Sequence, residues 1–215
     1  MAWRADPEAP RYPVNLLLSG RPCLVVGGGT VARQKAAGLV ECGALVHVVA
    51  PDVVPEIAAM GGVTVERRPY RRGEVAAYRL AIAATDDPAV NAAVYDDGEE
   101  AGVWVNSADD PVNCAFTLPA RVRQGPLLAT FSTGGHSPAL AVWLRRRFQS
   151  ELGPEYLTLL ELLDEARSAI RGAGGTSEGL DWQKALDSGM LELIREGRIT
   201  QAKERLQACL SSSSD

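Results

Sequence analysis

The 215-residue chain lacks several features that would assign it to a membrane, an export route or a class of ligand. No run reaches the roughly 18 consecutive apolar residues that a membrane-spanning helix needs, and residues 1–10 contain no apolar core of a secretory signal. The four cysteines form no CxxC pair, and the two histidines cannot make a metal site alone. The net charge of −5 argues against general affinity for nucleic acids. We therefore predict a soluble cytoplasmic protein with no metal site and no nucleic-acid or membrane partner.

Apolar runs alternate with helical patterns over the first two thirds of the chain, which is typical of βαβ units and a parallel sheet. The predicted strands are Cys23–Val26, Leu45–Val49, Val63–Glu66, Leu80–Ala84 and Val103–Asn106, and the helices between them are Val31–Glu41 and Ala89–Glu100. Residues Tyr12–Leu18 are predicted to form an additional edge strand, after which the chain turns back through residues 19–22. His47, in the middle of an apolar strand, is predicted to pack in the core.

Beyond Pro111 the pattern changes to two predicted strands, Cys114–Arg123 and Leu127–Ser132, followed by a helix from Ser137 to about Ser150. Short amphipathic helices follow from Glu151. The fold class is therefore α/β, with a Rossmann-type parallel sheet domain, a small α+β segment and a C-terminal helical domain. The predicted boundaries are disordered tails at residues 1–11 and 211–215, the sheet domain at 12–113, the segment at 114–150 and the helical domain at 151–210.

A glycine-rich turn follows the first predicted strand of the sheet. Residues 27–32 give G-x-G-x-x-A between a strand and a helix, the context in which this pattern binds a dinucleotide. Gly27 permits the tight turn, Gly29 leaves room for a pyrophosphate, and Ala32 allows close packing of helix and strand. The alternative is a glycine-rich turn with no ligand.

An acidic residue after the second strand indicates which nicotinamide cofactor is bound. Asp52 stands where NAD sites usually hold an acid for the ribose hydroxyls, although surface solvation is the alternative. No basic residue follows it directly, since Arg67 and Arg68 belong to the end of the next strand. NAD is therefore favoured over NADP.

Polar residues also end the fourth and fifth strands, at the edge where such sheets bind ligands. Thr85 and Asp86 either line the nicotinamide end of the cofactor or cap the following helix. Asp109 or Asp110 is a candidate general base, and both can instead form the turn before Pro111.

A second glycine-rich loop, residues 131–138, opens the helix at Ser137 and is a further anion-binding terminus. Five arginines lie within 27 residues of this otherwise acidic chain: Arg121, Arg123, Arg145, Arg146 and Arg147. They predict a site for carboxylates, although any one of them can be ordinary solvated charge.

Residues 26–35, 83–86, 106–111 and 132–138, in this order and spacing, resemble the dehydrogenase/chelatase module of siroheme synthase, including stand-alone precorrin-2 dehydrogenases. The resemblance runs from Tyr12 to about Phe148 and is weaker beyond. It implies a homodimer that associates through residues 114–150. It also implies that NAD accepts a hydride from precorrin-2, an acidic tetrapyrrole, giving sirohydrochlorin for siroheme biosynthesis. Some members further insert Fe²⁺ as a substrate. We expect a stand-alone form, because no methyltransferase domain follows.

The resemblance also implies roles for single residues. Asp109 matches the catalytic aspartate, and Thr30, Val31, Pro51 and Asp52 match positions that line NAD. The complete predicted cofactor site is Gly27, Gly28, Gly29, Thr30, Val31, Pro51, Asp52, Thr85 and Asp86. The predicted substrate site is Asn106, Arg121, Ser132, Thr133, Gly134 and His136.

Two other functions remain open. A non-catalytic NAD-sensing module would share the glycine turn and the acid but gives no reason for the motif at residues 106–110. A ferrochelatase with a vestigial nucleotide site would not bind NAD.

Overall fold

The computed structural model describes residues 9–176, 178 and 180–211, and the chain divides into two compact units, Met1–Leu118 and Pro119–Asp215. The predicted tails therefore lie mostly outside the described residues. Ser211 was assigned to the second tail but is the last residue of a helix, so that boundary differs by one residue.

The first unit is built on a five-stranded sheet in which every neighbouring pair is parallel. Its elements are β1 (Pro22–Val26), α1 (Thr30–Glu41), β2 (Leu45–Ala50), α2 (Pro55–Ala58), β3 (Val63–Arg67), β4 (Leu80–Ala83), α3 (Pro88–Ala101) and β5 (Trp104–Ser107). Short 3₁₀ turns lie at Glu74–Ala77 and Pro111–Asn113. The strand order is β3-β2-β1-β4-β5, so the chain builds the sheet outward from β1 in one direction and then, from β4, in the other. The Rossmann-type prediction is confirmed, with the five strands and two helices within one residue of their predicted ends.

Both faces of this sheet are buried at its central strands, which explains why β1 and β4 are apolar without alternation, whereas the edge strand β3 alternates apolar and polar residues. Val25 and Val48 pack with α1 and α2 on one face, whereas Leu24 and Val49 pack with α3 and the first 3₁₀ turn on the other. Leu24, Val25 and Val48 are 0% exposed. These two core clusters, one on each face, fix the strand ends that carry the candidate site.

Two strand predictions are wrong. Tyr12–Leu18 is not part of the sheet, and Tyr12 and Leu17 are each 89% exposed. Pro13 removes one backbone donor from this run, so the apolar pattern alone does not secure pairing. The turn after it forms as predicted, since the Arg21 N–H donates to the Leu18 carbonyl at 2.9 Å.

The predicted strand Cys114–Arg123 is also divided. Cys114 forms an isolated bridge with Asn106, and the Ala115 N–H donates to the Val105 carbonyl at 2.8 Å. The regular strand begins only at Ala120, after Pro119. Because residues 114–116 stay attached to β5, the division between the two units falls after Leu118 rather than after residue 113.

The second unit contains a two-stranded antiparallel hairpin and five helices among the residues that the structure describes. Its elements are β6 (Ala120–Gln124), β7 (Leu127–Phe131), α4 (Pro138–Glu151), α5 (Glu155–Gly172), α6 (Trp182–Leu186), α7 (Met190–Arg195) and α8 (Ile199–Ser211). Ser137 caps α4 as predicted, accepting a hydrogen bond from the Leu140 N–H at 3.2 Å. Helices α5 to α8 share an apolar core that includes Leu162, Met190 and Leu206. The helical C-terminal part of the fold prediction is confirmed.

Candidate functional site

The candidate site lies at the carboxyl ends of β1, β2, β4 and β5, where the connecting loops are fixed to one another by backbone hydrogen bonds. The strand order reverses between β1 and β4, and ligands of such sheets bind at the carboxyl ends beside that reversal. The fixing bonds run from the Gly27 N–H to the Val49 carbonyl (3.0 Å), from the Ala84 N–H to the Val26 carbonyl (2.7 Å) and from the Ala108 N–H to the Ala83 carbonyl (2.8 Å). The loops after four strands therefore form one connected edge.

The three glycines after β1 have three different environments. Gly27 has a φ of 125°, and a side chain there would place its Cβ 2.3 Å from the Ala84 carbonyl oxygen. A Cβ on Gly28 would lie 1.8 Å from the carbonyl oxygen of Asp52, and the Gly28 carbonyl accepts a hydrogen bond from the Val54 N–H at 2.9 Å. A Cβ on Gly29 would meet nothing within 4 Å. Gly27 and Gly28 thus serve packing, whereas Gly29 leaves open space.

The beginning of α1 can accept the pyrophosphate of a dinucleotide. Gly29 is its N-cap in extended conformation (φ −86°, ψ −169°), no side chain caps the helix, and its first turn holds no acidic residue. Thr30 and Val31 of this turn are exposed. Uncapped N–H groups of a 12-residue helix beside an open Gly29 fit an anionic group.

The end of β2 carries the acid predicted for the ribose. Pro51 and Asp52 are exposed there, and the Asp52 side chain has no hydrogen-bond partner among the residues that the structure describes. Arg68 is engaged elsewhere, since its guanidinium donates to Glu66 (2.5 Å) and Glu74 (2.6 Å). Those contacts, above all with Glu74, raise the pKa of Arg68. Arg67, by contrast, is exposed at the end of β3 with its Cα opposite that of Ala50.

The end of β4 is held by a residue that sequence reasoning missed. The Thr85 hydroxyl donates to Asn91 Oδ1 at 2.8 Å, and Asn91 Nδ2 donates back to the Thr85 carbonyl at 3.1 Å. Asn91 is only 6% exposed. Helix α3 is capped by Asp87, which accepts from the Ala89 N–H at 2.8 Å, so neither Thr85 nor Asp86 is its cap. An asparagine in the first turn of a helix after a strand was the available signal.

The two aspartates after β5 differ sharply. Asp109 has a φ of 61°, the single positive φ of a non-glycine residue in the described part of the chain. Its side chain is exposed and accepts no hydrogen bond from any described residue. Asp110 is half-buried and accepts a hydrogen bond from Asn113 Nδ2 at 2.6 Å. Asp110 thus serves the local turn, and Asp109 presents a carboxylate to solvent from a conformation that costs energy.

Asn106, in β5 just before this turn, is buried and not exposed to solvent. It is 7% exposed, and its Nδ2 donates to the Phe116 carbonyl at 2.9 Å and to Cys114 Sγ at 3.3 Å. The predicted substrate-binding role of Asn106 stays a prediction, while its visible contacts hold residues 114–116 against β5.

The second glycine-rich loop lies in the second unit. Thr133 Oγ1 accepts from the Ser137 N–H at 3.1 Å, and Ser132 Oγ accepts from the Gly134 N–H at 3.3 Å. Gly134 and Gly135 have φ values of 64° and 95°. His136 is exposed. Hydroxyl groups and a histidine therefore gather at the beginning of α4.

The five arginines predicted to bind carboxylates lie on two elements of the second unit, β6 and α4. Arg121 and Arg123 are exposed on β6 on either side of the buried Val122. Within α4, Arg145 donates to Gln149 at 3.0 Å and Arg147 pairs with Glu151 at 3.0 Å. Two of the arginines predicted to bind carboxylates, Arg145 and Arg147, therefore contact side chains of their own helix.

His47, predicted to pack in the core, is half-buried in the sheet and has polar partners. Its Nδ1 is hydrogen-bonded to the Tyr78 hydroxyl, and its Nε2 lies 3.3 Å from Glu66 Oε1. The reason is that His47 lies on the half-buried part of the sheet where Tyr78 and the polar end of β3 meet it. His47 thus belongs to a structural polar cluster with Tyr78 and Glu66.

Within residues 9–176, 178 and 180–211, no helix is both long and apolar enough to cross a membrane. The same described residues contain no group of three or more His, Cys, Asp or Glu side chains suited to holding a metal ion.

Comparisons with known proteins agree with the geometry of the sheet edge. Residues 14–120 match a family model described as "Putative NAD(P)-binding". The chain is 38% identical over 203 residues to the siroheme synthase of Nitrosococcus oceani, covering 92% of this chain and 43% of that protein. It is 37% identical over 199 residues to the siroheme synthase of Methylococcus capsulatus, covering 90% and 42%. The chain thus spans less than half the length of these curated relatives.

A solved structure covers nearly the whole molecule. SirC, described as a precorrin-2 dehydrogenase, has a TM-score of 0.66 and 30% sequence identity to this chain. The match covers 93% of this chain and 98% of that one. The similarity therefore extends over both units.

Proposed function

This chain belongs to the family of SirC and of the matching segment of siroheme synthases, and we propose that it oxidises precorrin-2 to sirohydrochlorin with NAD⁺. This is a step in siroheme biosynthesis, and the proposed substrate is an acidic tetrapyrrole. The free cysteines of the described residues suit the reducing cytoplasm, which we propose as its location.

One observation carries the proposal: the open space at Gly29 and the exposed carboxylate of Asp109 follow β1 and β5, on the same edge of one sheet. Only β4 separates those two strands. A nucleotide held at the beginning of α1 and a base on the turn after β5 therefore face the same region beyond the strand ends. Dehydrogenation needs both parts close together.

Each group on this edge has a distinct task. The uncapped N–H groups of α1 bind the pyrophosphate, and Asp52 accepts hydrogen bonds from ribose hydroxyls. Thr85, fixed by Asn91, lines the edge between them and β5. When bound, the nicotinamide supplies a hydride acceptor. Asp109 takes the proton that the substrate loses together with the hydride.

In the second unit, we propose that the hydroxyl groups of residues 132–137 and the nearby arginines bind the substrate carboxylates. Ser132, Thr133 and His136 gather at a helix N-terminus, and Arg121 is an exposed cation on the adjoining hairpin. Neutral donors and cations are the groups that recognise carboxylates.

The cofactor preference gives a direct test of the edge beside β2. We expect NADP⁺ to bind at least about tenfold more weakly than NAD⁺, because its 2′-phosphate would approach the Asp52 carboxylate. Titration of both cofactors against tryptophan fluorescence measures this. Asp52→Asn should reduce the difference. Equal affinities that become unequal on Arg67→Ala would instead identify Arg67 as a phosphate ligand and contradict the preference.

We further propose a homodimer that uses the hairpin and α4. None of the residues of α4 is buried, and Leu140 and Trp143 are 47% and 54% exposed. Exposed apolar side chains on one helix and a two-stranded hairpin need a partner surface. A second copy provides one.

Light scattering should give a mass near twice 22.9 kDa. Trp143→Glu should shift the protein toward the monomer, whereas Gln149→Glu on the same helix should not. A wild-type monomer at micromolar concentration with full activity would contradict this proposal.

Two other functions are separated from this one by simple measurements. An NAD-sensing module would bind NAD⁺ without oxidising precorrin-2. A ferrochelatase with a vestigial nucleotide site would use Fe²⁺ as substrate without binding NAD⁺. Incubation of the chain with precorrin-2 and NAD⁺ separates the dehydrogenase from both alternatives, and we expect sirohydrochlorin to form without iron. A titration with NAD⁺ and an incubation with sirohydrochlorin and Fe²⁺ separate the two alternatives from each other.

A further inference from the structure

The turn that presents Asp109 is short and is held on its inner side by a cysteine. It runs from Ser107, the last residue of β5, to Asp110, and its own backbone bond, Asp110 N–H to Ser107 carbonyl, is long at 3.4 Å. Asp109 at its tip has a φ of 61°. A non-glycine residue in this region costs energy, so other contacts must hold the turn in place.

Cys114 supplies those contacts. Its Sγ lies 3.2 Å from the Ser107 carbonyl oxygen and 3.2 Å from the Asp110 carbonyl oxygen, one at each end of the turn. The single S–H proton is donated to one or the other. The sulfur in turn accepts a hydrogen bond from Asn106 Nδ2 at 3.3 Å. The thiol thus connects both ends of the turn to a buried amide of β5.

We propose that Cys114 is a positioning residue, whose thiol holds the turn at residues 107–110 so that Asp109 keeps its left-handed conformation and its carboxylate remains at the sheet edge. The inference rests on the proposed catalytic role of Asp109. Cys114 itself touches neither substrate nor cofactor in this account. It acts through the backbone of Ser107 and Asp110.

The thiol is in the form that this role needs. Burial raises the pKa of Cys114, and the negative charge of Asp110 adds to the rise. The sulfur therefore keeps its proton at neutral pH and can donate to a carbonyl oxygen. One of the two carbonyl groups that can accept this proton, that of Asp110, belongs to a residue held in place by a second contact. Asn113, in the 3₁₀ turn between Asp110 and Cys114, donates from its Nδ2 to the Asp110 side chain at 2.6 Å.

The test compares Cys114→Ala, Cys114→Ser, Asp109→Asn and the double variant Asp109→Asn/Cys114→Ala. We expect Cys114→Ala to lower kcat on the order of 10- to 100-fold, because small displacements of a reacting group have effects of this size. The dissociation constant of NAD⁺, measured by tryptophan fluorescence, should not change. Cys114→Ser keeps a donor and should recover part of kcat. Cys42→Ala, which removes another half-buried thiol of the same unit, is the control and should be unaffected.

Two further readouts separate positioning from a general loss of stability. Amide hydrogen exchange at residues 108–110 should become faster in Cys114→Ala and stay unchanged elsewhere in the sheet. The double variant should be no slower than Asp109→Asn alone, because the thiol acts only through Asp109.

The outcomes are distinct for the two proposals. A normal kcat in Cys114→Ala beside an inactive Asp109→Asn overturns the positioning role alone. Multiplied effects in the double variant overturn it as well, since the thiol then acts independently of Asp109. A fully active Asp109→Asn overturns the catalytic role of Asp109 and the positioning role with it.

Discussion

Asp109→Asn is expected to lower the turnover of precorrin-2 by about 10²–10⁴-fold while NAD⁺ binds with unchanged affinity. Asparagine has nearly the same shape and tolerates a positive φ, so the turn should keep its conformation. It cannot accept the proton that the substrate loses. The nucleotide site is formed by the loops after β1 and β2, so its affinity should not depend on this carboxylate. Steady-state turnover and a fluorescence titration measure the two quantities.

Two companion variants show whether strain or chemistry is responsible. Asp109→Gly relieves the cost of the 61° φ, so it should keep or raise stability while turnover still falls. Asp109→Ala is a poorer choice because alanine adds strain in this region. Asp110→Ala loses the hydrogen bond from Asn113 and should cost about 1 kcal/mol of stability with little effect on rate. An inactive Asp110→Ala beside a normal Asp109→Asn would place the base one residue later.

Gly29→Val is expected to weaken NAD⁺ binding at least about tenfold, or about 1.4 kcal/mol, while the protein folds normally. Valine is compatible with the extended backbone at Gly29, and its Cβ would meet no atom within 4 Å. Its branched side chain would instead fill the space left for a pyrophosphate at the beginning of α1. The loss of turnover should follow the loss of cofactor affinity.

Gly28→Ala is the matched control. It should destabilise the fold, whereas Gly29→Val should weaken NAD⁺ binding and leave the fold intact. A Cβ on Gly28 would lie 1.8 Å from the Asp52 carbonyl oxygen, a backbone atom that cannot move aside easily. We expect a loss of about 1–3 kcal/mol in the free energy of unfolding, measured by denaturant titration. A folded Gly29→Val that binds NAD⁺ as well as the wild type would refute the assignment of the nucleotide site.

The parallel sheet could be predicted from the sequence because its central strands, β1 and β4, are buried on both faces and therefore appear as short continuous apolar runs. The fingerprint at residues 27–32 was equally visible, since its glycines stand between such a run and a helix. By contrast, Tyr12–Leu18 has a strand-like composition but no sheet pairing, because pairing depends on a neighbouring edge and not on local pattern.

Other features depend on contacts between distant parts of the chain. Gly28 is required by the backbone of Asp52, 24 positions along the chain, and no local rule indicates that contact. The environment of His47 depends on Tyr78 and Glu66, which only the sheet register brings near. The different roles of Asp109 and Asp110 likewise become visible only through the backbone angle of one and the hydrogen bond of the other.

The most direct test of the account is a stoichiometric one. The purified chain is mixed with precorrin-2 and limiting NAD⁺ in the absence of iron and oxygen, and sirohydrochlorin and NADH are quantified from the same sample. A two-electron oxidation in which the substrate loses a hydride and a proton predicts one NADH for each sirohydrochlorin, with both products absent in Asp109→Asn on the same time scale. Tight NAD⁺ binding with neither product formed, or sirohydrochlorin formed without NADH, would contradict the account.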